Sequence, residues 1–189
     1  MHTENLLGHC RKMLNLTQLN YDLFKMIYMT GRHSEFALSA ALFFSHYLTT
    51  ILAVILLFSM ALRKSYPILF LKALLLTLCA SLLNYIFDHT FDFPRPFTLG
   101  LSQNHIKHSN NNSFPSSHML VMSTIAFAYC FSSKFWIGCG LLLAALAVGW
   151  SRIYLGVHFP FDILGALLIA LGLNFVAYQA LKKYPRWIG

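Results

Sequence analysis

Two arginines, two histidines, two serines and an aspartate stand out in this chain because of where they fall. Arg95 lies in FPRPF, Ser116, Ser117 and His118 lie in FPSSH, and Arg152, His158 and Asp162 lie in SRIYLGVHFPFD, each stretch beside a long apolar run. Two guanidiniums without a matching acidic excess call for an anion, and the planar fork of arginine suits phosphate oxygens. Pro115 and Pro160 both suit the first turn of a helix, where a missing N–H costs nothing. Each then marks a helix amino terminus, whose free N–H groups and dipole favour an anion. Ser116 and Ser117 add hydroxyl donors at the first of these. His158 and Asp162 are four residues apart, on one face of a helical turn. The carboxylate can hold the imidazole in one tautomer, leaving a nitrogen able to attack phosphorus. His118, from a different segment, can give a proton to the departing oxygen and then take one from water. Together these groups suit a two-step hydrolysis through a covalent phosphohistidine, with Arg95 and Arg152 neutralising charge on the phosphoryl oxygens. No metal or other cofactor is required by that scheme.

The elements that must position these residues are membrane helices. The 189 residues are 57% hydrophobic and 11% charged, with 17 Phe and a mean hydropathy of +0.59, outside the range of an ordinary soluble domain. A net charge of +8 would suggest nucleic acid in a soluble protein, but here the cations flank apolar runs. They read as membrane anchors and orientation signals, and no nucleic-acid partner is expected. Runs near the length that crosses a bilayer fall at 36–62, 66–87, 115–131, 135–150 and 159–181, the third and fourth of them short. Residues 88–114, with HTFDFPRPF and HIKHSNNNS, read as a polar extracytoplasmic loop carrying part of the site. Residues 16–29 are amphipathic and interrupted by Asp22 and Lys25, which predicts a helix lying in the interface within an amino-terminal segment 1–34. Nothing in that segment suggests a removable signal peptide. The expected fold is all-α, a polytopic membrane bundle of about five transmembrane helices plus an amino-terminal interfacial helix, forming one domain over 1–189.

Parity then places the span ends near Asp88, Pro115, Ser151 and Phe159 on one side of the membrane, with every candidate residue. Arg63, Lys64, Lys134, Lys182, Lys183 and Arg186 fall on the other side, which the positive-inside rule makes cytoplasmic along with the carboxyl terminus. The site is therefore expected to face the periplasm. Arg11, Lys12, Lys25 and Arg32 pull the other way and leave the side of the amino terminus open.

FPRPF, FPSSH and SRIYLGVHFPFD resemble the three signature motifs of the type 2 phosphatidic acid phosphatase superfamily, which also includes haloperoxidases and glucose-6-phosphatase. The resemblance implies that Arg95, Arg152, Ser116 and Ser117 bind phosphate, that His158 is the nucleophile with Asp162 as its partner, and that His118 is the acid. Two positions depart from the pattern: Asp88 stands where a lysine is usual seven residues before Arg95, and Ser117 replaces a glycine. Lys107 is a candidate substitute for the missing cation. Within the superfamily the chain is most similar to bacterial undecaprenyl pyrophosphate phosphatases of the bacitracin-resistance type. That likeness implies hydrolysis of an isoprenyl diphosphate carrier in the bacterial inner membrane, recycling it for peptidoglycan synthesis. Lipid A phosphatases or phosphotransferases and phosphatidylglycerol phosphate phosphatases are the alternative enzymes, and a phospholipid-binding membrane protein is the non-enzymatic one.

The remaining polar residues have simpler readings. His46 in the first run suits a packing or interfacial role, and His89, His105 and His108 suit a solvated loop. A zinc site from His118, His158 and Asp162 would put two arginines beside a dication. Cys79, Cys130 and Cys139 lack the spacing of a metal site or a disulfide framework.

Overall fold

The structure, a computed structural model, describes residues 2–28, 34–52, 54, 67–103, 106 and 112–184. Helices α1 (His2–Ile27), α2 (Glu35–Leu52), α3 (Pro67–Thr90), α4 (Ser117–Cys130), α5 (Phe135–Tyr154) and α6 (Pro160–Leu181) account for most of these, and no strand occurs among the described residues. Helices α2, α3, α5 and α6 are long and apolar enough to cross a bilayer. α4 has 14 residues, about 21 Å of helix against a hydrocarbon core of about 30 Å. It packs against α3, α5 and α6, and burial of Met119, Leu120, Ala126 and Ala128 makes it the centre of the bundle.

The packing follows membrane rules. Ala126, Ala145, Ala166 and Ala170 are fully buried where helices meet, and small side chains let backbones approach closely. Asn174 Nδ2 donates to the Thr124 carbonyl at 3.1 Å, tying α6 to α4 in the interior. Leu78, Leu82, Leu143, Leu168 and Val176 point outward and exposed, an apolar rim that lipid covers. This is a multi-pass membrane protein.

Several boundaries differ from the sequence expectation. The first run is described only to residue 54, so Arg63 and Lys64 lie outside the described residues, as do Arg186, His105, Lys107 and His108. α3 continues to Thr90, so Asp88 sits in its last turn rather than opening the loop. α5 continues to Tyr154, which lengthens the fourth span to 20 residues and puts Arg152 on the helix. α1 runs from His2, well before residue 16, and its Phe24 is buried against the bundle.

The four polar span ends do meet at one end of the bundle. The Asn112 N–H donates to Asp88 Oδ1 at 3.1 Å, linking the loop to α3. Ser116 N–H donates to the Asp162 carbonyl at 3.3 Å, linking the starts of α4 and α6. Lys134 lies in the α4–α5 connection, and Lys182 and Lys183 follow α6, both at the far ends of those helices.

Candidate active site

The stretch LGVHFPFD is a helix stop followed at once by a helix start. Gly156 adopts φ +76°, open to glycine at little cost, directly after Leu155, the cap of α5. Its N–H donates to the Ile153 carbonyl at 2.9 Å, and the Val157 N–H donates to the Arg152 carbonyl at 3.1 Å. This paired closure ends α5 abruptly. Pro160 then opens α6 at its first position, with Phe159 as the cap residue. His158 is wedged between the two helices and only 1% exposed.

Asp162, one turn into α6, fixes that wedge. Its Oδ2 accepts from the Phe159 N–H at 2.7 Å and from Ser113 Oγ at 2.5 Å, and lies 3.5 Å from His158 Nδ1. The other ring nitrogen, Nε2, lies 3.2 Å from Arg95 Nη1. Burial drives the His158 pKa down to about 3, Asp162 pulls it back up, and the charges of Arg95 and Arg152 depress it further. The ring is therefore neutral at physiological pH, with Nδ1–H facing the carboxylate and the Nε2 lone pair facing the guanidinium.

Arg95 is nearly fully buried, in the loop after α3. Besides His158, its Nη1 donates to the Val157 carbonyl at 3.0 Å and its Nη2 to the Asn112 carbonyl at 2.9 Å. Asn112 is anchored on all sides. Its Nδ2 donates to the carbonyls of Phe87 (3.0 Å) and Phe114 (2.8 Å), its Oδ1 accepts from Phe93 N–H (3.0 Å), and its N–H goes to Asp88. Asp88 thus holds the carbonyl that aims Arg95 rather than supplying the cation that the resemblance leads one to expect. Burial lowers the Arg95 pKa to about 10, with the charges of Asp162 and Asp88 opposing that shift, so the group stays cationic at neutral pH.

Arg152, 2% exposed, comes from the last turn of α5. Its Nη1 donates to Ser45 Oγ at 3.0 Å, while Nε and Nη2 are buried with no hydrogen-bond partner among the described residues. Ser45 belongs to a π-helical turn of α2 over Phe44–Leu48, an irregularity often found at functional sites. Ser116 is the fully buried cap of α4, and its Oγ also lacks a partner among the described residues. Buried donors of this kind are expensive unless something accepts from them. The oxygens of a bound anion would satisfy donors of this kind.

The candidate residues divide into those drawn together and those beside them. Arg95, His158 and Asp162 form one connected cluster, and Arg152 lies within electrostatic reach of His158. His118, half-buried, is the second residue of α4, whose first turn is bonded to that of α6 through Ser116 and Asp162. Ser117 is exposed at the first position of α4. Pro115 is not in a first helical turn but precedes the cap, joined to Phe114 by a cis peptide bond. At α6 the expected anion site is filled: Phe159 N–H goes to Asp162, and Phe161 N–H goes to Asn20 Oδ1 of α1 at 3.0 Å. Among the described residues no three of His, Cys, Asp and Glu converge as metal ligands. His46 and His89 each bond a carbonyl one turn earlier in their own helices.

Ser45, Asn112, Ser113 and Asn20 were missed in the sequence. Ser45 interrupts an apolar run, and Asn112 ends a run of three asparagines directly before Ser113 and the FPSSH stretch; those were the available signals.

A bundle of membrane helices that gathers two arginines, a carboxylate-bound histidine and a second histidine at one end defines a class of membrane phosphatase. The chain belongs to the PAP2 superfamily, whose family model matches residues 53–186. It is 35% identical over 82% of its length to the putative undecaprenyl-diphosphatase YbjG of Escherichia coli (strain K12), covering 79% of that protein. It is 30% identical over 85% of its length to the undecaprenyl-diphosphatase BcrC of Bacillus subtilis (strain 168), covering 83% of that protein. The crystal structure of LpxE from Aquifex aeolicus superposes with a TM-score of 0.61 at 29% identity, covering 85% of this chain and 95% of that one.

Proposed function

We propose that this protein hydrolyses undecaprenyl diphosphate to undecaprenyl phosphate and inorganic phosphate. The observation that carries the chemistry is the buried imidazole of His158 held between Asp162 and Arg95. The names of the YbjG and BcrC relatives support the choice of lipid.

In the first step His158 Nε2 attacks the terminal phosphorus, the bond from phosphorus to the bridging oxygen breaks, and His118 protonates that oxygen as undecaprenyl phosphate leaves. In the second, water attacks the phosphohistidine, His118 takes its proton, and the P–N bond breaks to release phosphate. Asp162 holds Nδ1–H and stabilises the ring as it becomes positive on phosphorylation. Arg95 and Arg152 neutralise the equatorial oxygens, with Ser116, Ser117 and the amino terminus of α4 as further donors. Because His158 is already neutral, no proton has to be removed before attack.

The whole chain acts as one integral-membrane domain in the bacterial inner membrane, with α1 along the interface, the site facing the periplasm and the carboxyl terminus in the cytoplasm. The positions of Lys134, Lys182 and Lys183 at the opposite end from the site support that orientation. Phosphate release by the detergent-purified protein tests the reading, with undecaprenyl diphosphate set against lipid A, phosphatidylglycerol phosphate and phosphatidic acid, EDTA present throughout. Preference for the isoprenyl diphosphate, lost in His158→Ala, is expected. Turnover of only another lipid keeps the chemistry and removes this substrate, and no turnover of any leaves a lipid-binding protein.

A further inference from the structure

Beside the phosphate site lies a cleft of about 370 Å³ that the scheme above does not use. One wall is α1, with Leu16 and Tyr21; another is the loop after α3, with Phe93 and Leu99; Phe114 and Phe161 complete the sides, and Asp162 also lines it. The volume is within the range of roughly 300–1,000 Å³ usual for small-molecule sites. We propose that this cleft holds the first isoprene units of the substrate chain, an inference that rests on the function proposed above.

Three observations favour this occupant. The walls are largely apolar and aromatic, and two of the polar atoms that border them are engaged elsewhere: Asn20 Oδ1 caps Phe161, and Asp162 Oδ2 takes Ser113 and Phe159. The cleft is continuous along the chain with the phosphate machinery, since lining residues Pro94 and Phe159 are the immediate neighbours of Arg95 and His158. A chain attached to a phosphoryl group at those residues meets this apolar surface first. Finally, its rim leaves Leu16 (48% exposed), Phe93 (44%) and Leu99 (43%) uncovered at the end of the bundle where α1 docks. Exposed apolar rims of this kind mark lipid or ligand contact.

α1 is fixed firmly enough to serve as a wall. Phe24 is 1% exposed, its ring 5.2 Å from that of Phe159, and the Tyr21 ring is 5.3 Å from Phe159. Tyr28 OH accepts from the Gln103 N–H at 3.0 Å, pinning the far end of α1 to the loop.

The test fills the cleft from its exposed rim, with Leu16→Trp and Leu99→Trp compared with the wild type on undecaprenyl diphosphate and on p-nitrophenyl phosphate, which has no chain. Expelling even two methylenes predicts a rise in KM for the lipid of about tenfold. KM and kcat for p-nitrophenyl phosphate should stay at the wild-type values. Equal loss on both substrates, or no change on either, overturns the cleft as a chain site while leaving the proposed activity intact. Failure of the wild type to hydrolyse undecaprenyl diphosphate overturns both. A second measurement does not depend on the variants: a benzophenone-tagged isoprenyl diphosphonate, irradiated on the wild-type protein, should label peptides containing residues 16–21 or 93–99. Labelling elsewhere, or labelling displaced by phosphatidylglycerol but not by undecaprenyl phosphate, overturns the proposal.

Discussion

Arg95 Nη1 stands 3.2 Å from His158 Nε2, on the opposite side of the ring from Asp162. The lone pair that the proposed attack on phosphorus uses is thus occupied by the guanidinium proposed to bind the phosphoryl group. In the proposed mechanism an arriving phosphate draws that N–H onto its own oxygens and frees the nitrogen in the same movement. Arg95→Lys keeps the charge but cannot reach the Val157 and Asn112 carbonyls and a phosphate together. Loss of such an aimed donor predicts a fall in kcat of roughly 10²–10³-fold. Steady-state kinetics checks this, and wild-type kcat in Arg95→Lys would show that a point charge is enough.

Asp162 receives His158, Ser113 and the Phe159 N–H on a single oxygen. An asparagine oxygen placed there keeps an acceptor but loses the negative charge that stabilises the ring when phosphorylation makes it positive. Asp162→Asn should therefore lower kcat by roughly 10²–10⁴-fold, by analogy with carboxylate removal from other oriented histidines. A KM that rises while kcat holds would assign Asp162 to substrate binding instead.

The neutrality of His158 has a consequence for stability. Its pKa falls from an unfolded value of 6.5 to about 3 in the folded protein. Between those values the unfolded chain binds a proton that the folded protein refuses, so stability is full above pH 6.5 and is lost progressively as pH falls toward 3. Thermal unfolding in detergent between pH 8 and pH 5 should show a drop in Tm that is smaller in His158→Gln. Identical drops in the two proteins would place the acid sensitivity elsewhere.

Asp88 is predicted to matter through Asn112 rather than as a substitute for a phosphate-binding lysine. Asp88→Asn retains an acceptor for the Asn112 N–H and should cost little. Asn112→Ala removes the network around the Arg95 carbonyl partner and should cost more, about tenfold or greater in kcat/KM if the loop loses one or two buried hydrogen bonds' worth of aim. Asp88→Lys, which restores the cation expected from the resemblance, should lower activity by repelling Arg95 and losing the bond to Asn112. A gain of activity in Asp88→Lys would overturn this role.

Much of this site was legible because arginine, histidine and aspartate are costly in an apolar chain and carry function when they occur there. Arg95, His158 and Asp162 stand out by type and spacing, and the parity of the span ends puts them on one face. Other features follow from tertiary packing that spacing does not encode. Pro115 and Pro160 look alike in sequence, yet only Pro160 enters the first turn of its helix, and the amino terminus it opens is filled by Asp162 and by Asn20 from 141 residues away. Ser45 is hidden in the sequence because its partner, Arg152, is 107 residues away and they meet only through packing of α2 on α5. The length of α5 was underestimated because Ser151 and Arg152 look like a polar stop, whereas both are buried and the helix ends only where Gly156 permits the turn.

The proposed covalent bond to His158 can be trapped by rapid quenching. The purified protein is mixed with undecaprenyl diphosphate carrying a radiolabelled terminal phosphate, in EDTA, quenched in base within one turnover and digested. An alkali-stable, acid-labile label on the peptide containing His158, absent in His158→Ala, is the expected result. Turnover without any protein-bound label, or a label on a different residue, would contradict it.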